Sequence, residues 1–334
     1  MREKILVIMK AVTLIGMFEV LCYKVCEDRS KKLMLPADFL EKNILHKLGL
    51  EIGGPSQVFS GKGVIPLYDI AEAIDNVNYS RVTMWDDRYA SRLVAFRKTI
   101  VSEASDLGAI ESNSYDFVAS SNVIEHLSNP LRALLEMKRV VRLNGLIIAI
   151  VPHKDITFDH LRSVTNLDSL IQVFKLNPPE GDISHLNLDE IFKNYDLVLD
   201  PPAGDLDSFK KRTLDNKSNR ALHQTVINTQ LLLEMFNWAE IKILFVKTSL
   251  MLDHILVIGE NSESSKNEIH KCNLNFLGSD ADWRNNTVFR SERTRKYEKN
   301  RDGPKQKVTL RVLNSGESDQ RLLNCATHFL RTQF

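Results

Sequence analysis

The chain has 334 residues, 43% of them hydrophobic and 26% charged, with a net charge of +1 from 44 Lys+Arg against 43 Asp+Glu. This is the mix of an ordinary globular protein, long enough to bury a core without disulfide or metal staples. It excludes collagen-like, coiled-coil, disulfide-scaffold and wholly disordered chains, and the near-zero net charge names no partner.

The first 25 residues are apolar in three runs, Ile5–Met9, Ala11–Phe18 and Val20–Tyr23, broken by Lys10 and Glu19. No uncharged run reaches the ~20 residues a bilayer span needs, so no integral membrane span is expected. Residues 1–41 are expected to be a helix packed on the main domain, followed by a linker. A helix lying on a membrane surface ranks second, and a signal sequence third, because no small-x-small cleavage site follows Arg2 and Lys4. Of the four cysteines, Cys22, Cys26, Cys272 and Cys325, the first two lie one helical turn apart with no His or Cys pair nearby to complete a zinc site. Reduced thiols and a cytoplasmic setting are expected.

Alternating strand-like and helix-like segments occupy residues 42–260. Leu48–Ile52 reads as a short buried strand, and Gly53-Gly54-Pro55-Ser56 follows it, where glycine lets backbone approach a ligand. A second strand is predicted at about 71–74 and ends in Asp75, 22 positions beyond Gly53. That is the spacing at which nucleotide-binding folds place a ribose acceptor, although Asp75-Asn76 alone would also make a turn. Asp106-Leu107 sits in a loop, Tyr115–Ser121 is a strand, and Asn129-Pro130 opens a helix with Pro at a tolerated first-turn position. Asn144-Gly145 is expected to end that helix before the apolar strand Leu146–Val151. A helix containing Leu231–Leu233, a strand at 241–247 and an antiparallel strand at 254–259 follow. Residues 155–220 are expected to be an acceptor-side insertion, with Pro178–Gly181 and Pro201–Gly204 as loops. Residues 261–334 are expected to be a poorly ordered tail, and 262–334 carry 14 Lys+Arg against 9 Asp+Glu.

These residues resemble the class I S-adenosylmethionine-dependent methyltransferases over roughly 42–260. Leu50–Gly54 is similar to that family's first motif, Asp75 to its ribose-binding acid, and Asp106-Leu107 to its adenine-contacting loop. Tyr115–Leu127 resembles its fourth strand and following helix, and Arg139–Gly145 its turn into the fifth strand. Val151–Asp155, Thr157–His160, Arg162 and Thr165 resemble a bacterial subgroup with a Gly-Gly-Pro-Ser first motif, often found near surface-glycan or small-molecule genes. The resemblance implies an α/β, doubly wound Rossmann-like sheet, mostly parallel with an antiparallel final strand. It also implies S-adenosylmethionine as cofactor, bound by Glu51, Gly53, Gly54, Pro55, Ser56, Asp75, Asp106, Leu107, Ser121 and Asn122.

The expected activity is methyl transfer to a small hydroxylated acceptor, such as a sugar or glycan intermediate. A non-catalytic scaffold that retains the fold is the alternative. His153 or Asp155, just past the fifth strand, is the expected base. His126, Asp159, Arg162 and His223 are the expected acceptor contacts, with Arg162 suited to an anionic group or to pairing with Asp159. Asn122, Glu125 and His126 are spaced to share one helical face. Some methyltransferases bind a divalent metal through Glu-x-x-Glu-His, but here Asn122 replaces the first Glu, and no metal is expected. Nucleic acid is not an expected partner, since the core shows no aromatic stacking platform.

Overall fold

The computed structural model describes residues 35, 37–61, 63–83, 96–248 and 254–263. The expectations for the N-terminal helix, all four cysteines and the basic tail beyond 263 fall outside the described residues. Among those described, no helix is long and apolar enough to cross a membrane.

Seven strands form one sheet: β1 (Leu48–Ile52), β2 (Ala73–Asn78), β3 (Thr99–Val101), β4 (Tyr115–Ser121), β5 (Val141–Pro152), β6 (Lys242–Thr248) and β7 (His254–Glu260). Their order is β3-β2-β1-β4-β5-β7-β6, with β7 antiparallel to both its neighbours and every other pairing parallel. The sequence direction of the crossovers reverses between β1 and β4, so a crevice opens at the carboxyl ends of these two strands.

β5 and β7 carry uninterrupted apolar runs, Leu146–Val151 and Ile255–Ile258, because both faces of the sheet are covered there. Alternation sorts their side chains. Ile147, Ala149 and Val151 of β5 and Ile255 and Val257 of β7 join one core cluster. Leu146, Ile148, Ile150, Leu256 and Ile258 join the other. The first face carries the helices Pro130–Val140, Leu167–Leu176 and Thr229–Trp238. The second is covered by Phe39 and Leu40 of the helix Ala37–Asn43 and by Phe59, Ile65 and Leu67. A third, smaller cluster of Ile191, Tyr195, Ala203, Phe209 and Leu222 holds together the helical segment between β5 and residue 222.

Three sequence expectations are corrected. The helix opened by Asn129, whose side chain caps the Arg132 N–H, ends at Val140, and β5 has already begun at Val141. Asn144 does adopt left-handed geometry (φ 63°), but inside β5, beside the register shift opposite Tyr115 and Phe117, rather than as a helix-ending turn. The edge strand β3 was not anticipated. β2 runs about two to four residues later than the sequence reading placed it, which matters for the site.

Gly49 pairs with Phe117 across β1 and β4, and any Cβ at Gly49 would overlap the fully buried Phe117 ring. Gly49→Ala should therefore overpack the sheet and cost about 1–3 kcal/mol. The thermal midpoint should fall by several degrees, and an unchanged melting curve would contradict this packing.

Candidate active site

β1 delivers the chain into the crevice through Gly53, whose φ of 80° suits glycine. Its N–H donates to Val77 O at 2.8 Å, and a Cβ there would collide with Val123. Gly54 is clasped from β2. Its N–H donates to Asn76 Oδ1 (3.1 Å), and its carbonyl accepts from Asn76 Nδ2 (3.2 Å) and Asn78 Nδ2 (2.8 Å). The Gly54–Pro55 peptide is cis. Ser56 N–H donates to the Tyr68 hydroxyl (2.6 Å), which in turn donates to Glu51 Oε2 (2.7 Å). Burial pushes the Glu51 carboxyl up to about 7, against the opposing hydrogen bonds of Ser56 and Tyr68. Glu51 thus shapes the turn from beneath.

A cavity of about 660 Å³ opens over this turn, walled by residues from the carboxyl ends of β1, β2, β3, β4 and β5 and from the helical segment beyond. Of the sequence-expected residues, Gly53, Pro55, Ser56, Ser121, Asn122, His126 and His223 line it. Asn122 reaches it from the residue just past β4, and Glu125 and His126 from a 3₁₀ turn (Ile124–His126), rather than all three from one face of an α-helix.

Asp75 does not line it. With β2 spanning Ala73–Asn78, Asp75 sits mid-strand and fully buried, accepting two hydrogen bonds from Arg97 (2.8 and 2.6 Å) and one from Tyr115 (2.7 Å). The residue that β2 brings to the cavity is Asn78, followed by Tyr79. Asp106 and Leu107 are likewise displaced. β3 ends at Val101, so Ser102, Glu103 and Ala104 reach the cavity, while Asp106 is exposed and Leu107 is in the core.

The expected bases also move. Immediately after β5 the chain turns through a 3₁₀ segment, Lys154–Ile156, pinned by Lys154 N–H to Ile227 O at 2.9 Å. His153 and Asp155 are buried behind the wall, where Asp155 N–H donates to His153 Nδ1 and Lys154 pairs with Asp155. Neither lines the cavity.

The acceptor-side residues form a chain of contacts. Arg162 Nη1 donates to Asp159 Oδ1 (2.9 Å) and to His223 O (2.9 Å), and Asp159 Oδ2 lies 2.6 Å from His223 Nδ1. Burial works to raise the Asp159 carboxyl, but the charge and hydrogen bonds of His223 and Arg162 outweigh it and hold it below its ordinary value. An ionised Asp159 can only accept, so His223 donates to it through Nδ1. Arg162 and Asp159 therefore stand behind His223 as its support. His126 Nδ1 lies 3.3 Å from Leu222 O and must donate to it, and burial, aided by His223, holds that ring down at about 3, neutral. His223 lies well ahead of the helix Thr229–Trp238 and does not begin it.

Sequence reasoning missed Asn78, Glu103, Phe158, Asp200, Arg212, Arg220 and His254, all of which line the cavity. For Asn78 a signal existed. Asp75-Asn76-Val77-Asn78 can be read as a strand with Asn76 and Asn78 on one face instead of a turn. The others come from segments that only the fold brings together.

Residues 60–149 match the family described as Methyltransferase domain. The sheet is a doubly wound, Rossmann-like sheet with an antiparallel strand near one edge. The matched stretch covers β2, β3, β4 and nearly all of β5, but begins after the Gly53–Ser56 turn. No curated protein sequence matches the chain. Solved structures resemble it at low identity. A Listeria monocytogenes protein assigned as an S-adenosylmethionine dependent methyltransferase has 14% identity and a TM-score of 0.40, over 71% of this chain and 96% of that one. A SAM dependent methyltransferase from Aquifex aeolicus has 13% identity and a TM-score of 0.37, over 72% and 97%. Burkholderia thailandensis 1,6-didemethyltoxoflavin-N1-methyltransferase, solved with its substrate and S-adenosylhomocysteine, has 11% identity and a TM-score of 0.37, over 73% and 85%.

The displaced Asp75 makes a stability prediction. Burial tends to raise its carboxyl, but hydrogen bonds from Arg97 and Tyr115 and the charges of Arg97 and Lys98 shift it downward overall. Its contribution is therefore full above its ordinary value of 3.8 and is lost as pH falls through the lower folded value. Asp75→Asn should cost roughly 1.5–3 kcal/mol at neutral pH, the range for hydrogen bonds to a charged group. In urea melts the gap to the unmutated protein should narrow as the pH drops below 3.8. A gap that stays constant down to the acid limit would contradict the pairing.

Proposed function

We propose that this protein is an S-adenosylmethionine-dependent methyltransferase acting on a small hydroxylated acceptor of sugar or glycan type. The observation that carries the reading is the single cavity joining the Gly53–Ser56 turn to the buried polar cluster of Glu125, His126 and His223. A volume of about 660 Å³ suits a small-molecule site rather than a solvent dimple.

The residues present fit the cofactor. The Gly53 turn is a cradle that a Cβ would fill, with Ser56 and Pro55 beside it. Asn78 takes the place expected of the ribose-binding acid at the end of β2. Its Nδ2 is committed to Gly54 O, which turns the amide's acceptor end to the ribose. Ser102, Glu103 and Ala104 would flank the adenine, and Ser121 and Asn122 would close the cradle from β4. When bound, the cofactor supplies an electrophilic methyl group on a sulfonium.

The chain's own residues bind and align the acceptor. Much of the rate of such a transfer can come from alignment, worth up to roughly 7–11 kcal/mol of barrier. The wall sets the apolar Phe158 beside polar groups of Asp200, Arg212, Arg220 and His254, a mixture that suits a sugar ring with its hydroxyl rim. Glu125, His126 and His223 present acceptor atoms to the hydroxyl that must lose its proton. His223 is held in one tautomer for this by Asp159. A scaffold that merely kept the fold would have no use for so costly a buried polar group as Glu125.

Calorimetric titration with S-adenosylmethionine and S-adenosylhomocysteine tests the reading. Micromolar binding is expected, weakened about tenfold by Asn78→Ala, or ~1.4 kcal/mol, and unaffected by Asp75→Asn. A folded protein that bound neither compound would overturn it.

A further inference from the structure

Glu125 is 1% exposed and lines the cavity, yet neither of its carboxylate oxygens has a hydrogen-bond partner among the described residues. A buried carboxylate left so is expensive unless a cation or a donor meets it. Its own proton does not solve the problem locally. A proton on Glu125 would still find no hydrogen-bond partner among the described residues, and the 3.8 Å from Oε1 to His126 Nε2 is too long for one.

The neighbours point the same way. Both imidazoles donate through Nδ1, His126 to Leu222 O and His223 to Asp159, so each turns its Nε2 away from its support. One ligand atom each from Glu125, His126 and His223 lie within 4.8 Å of one another. The rings of His126 and His223 meet edge-on with centroids 4.6 Å apart. We propose that Glu125, His126 and His223 bind one first-row divalent transition-metal ion, of zinc or a near neighbour, with an open coordination position facing the cavity.

The chemistry of the set selects the ion. Two imidazole nitrogens and one carboxylate oxygen suit zinc and its neighbours, whereas magnesium and calcium call for oxygen shells. Three protein ligands with a vacant fourth place are the pattern of a working site rather than a structural one. Metal–ligand bonds of about 2.0–2.2 Å in a tetrahedron put ligand atoms about 3.4 Å apart. Contraction by roughly 0.7 Å per side chain from the observed spacing would reach that distance, within the play of rotamers.

The supporting shell is already built. Asp159 holds His223, Arg162 holds Asp159, and the Leu222 carbonyl holds His126, as outer partners of metal-bound imidazoles do. Gln224 N–H and Thr225 N–H both donate to Glu125 O (2.8 and 3.1 Å), which locks the two ligand-bearing segments together. The site stands on these side chains whether or not the cavity takes S-adenosylmethionine. Only the ion's use, holding an acceptor oxygen and easing loss of its proton, rests on that reading.

The test uses the full chain, stripped with EDTA and dialysed. It is titrated calorimetrically with Zn²⁺ and separately with Co²⁺, whose visible absorption reports coordination in the unmutated, folded protein. One equivalent should bind at micromolar or tighter affinity, with a cobalt spectrum of low-coordinate N/O type. Affinity should fall at least 100-fold in Glu125→Gln and in His223→Asn, and 10–100-fold in the supporting variant Asp159→Asn. Circular dichroism checks that each variant is folded. Absence of binding by the folded unmutated protein would overturn the proposal. So would undiminished binding in folded Glu125→Gln and His223→Asn, which would place the metal elsewhere, the cysteines included. S-adenosylhomocysteine is titrated into the same stripped sample. If that compound binds and the metal does not, this proposal alone is overturned; if the metal binds and that compound does not, the cofactor reading alone is overturned.

Discussion

Residues 221–227 cross the carboxyl edge of the sheet as an irregular strip that is buried along its whole length. Buried backbone outside a helix or sheet has to find partners for its N–H and C=O groups one at a time. Ala221 and Leu222 donate to the side chains of Asn219 and Asn216, and Gln224 and Thr225 both donate to the Glu125 carbonyl. Val226 exchanges bonds with Thr165, and Ile227 accepts from Lys154. These bonds fix where His223 stands. They also tie together the three stretches that wall the acceptor side, the turn after β4, the turn after β5 and the helical segment, none of which could hold its position alone.

The same accounting explains why charge is tolerated so deep. Asp159 is a buried carboxylate met by Arg162 on one oxygen and His223 on the other, so its burial is compensated within the protein. Asp75 is handled alike, by Arg97 and the Tyr115 hydroxyl. Glu51 is met by Tyr68 and Ser56, whereas among the described residues Glu125 has no partner at its carboxylate. The gradient runs from structural pairs at the periphery of the cavity to an uncompensated group on its wall. Evolved cores keep such imbalances where a ligand completes them.

Legibility in the sequence followed the range of the interactions involved. β1, β4 and β7 could be read directly because runs such as Leu48–Ile52 and His254–Gly259 are bounded by turn residues and covered on both faces. The doubly wound topology followed from their alternation with helices. β2 was read too early because Asp75-Asn76 carries a turn signal, and tertiary pairing with β1 and β3 overrode it. That shift put Asp75 in mid-strand and brought Asn78 to the cavity. His153 and Asp155 were read as site residues because they follow β5, but the strand's exit angle, set by the bond to Ile227, was not in the local pattern. The meeting of His223 with Glu125 and His126 joins segments far apart in the chain, and no spacing rule could state it.

A cavity that spans a glycine cradle, the Gly53–Ser56 turn, and the cluster of Glu125, His126 and His223 also constrains how either half can vary. The Gly53 turn leans on Val123, and Val123 immediately precedes the 3₁₀ turn that presents Glu125 and His126. A side chain added at Gly53 would press on Val123 and so on the orientation of the turn behind it. That turn's backbone in turn anchors the strip carrying His223. Packed contacts of this kind yield in steps rather than smoothly, since interiors have little free volume to absorb a displacement. The cradle and the cluster are therefore one mechanical unit, joined through Val123. Their relative position is set by close packing around the β4 exit rather than by any loop free to adjust.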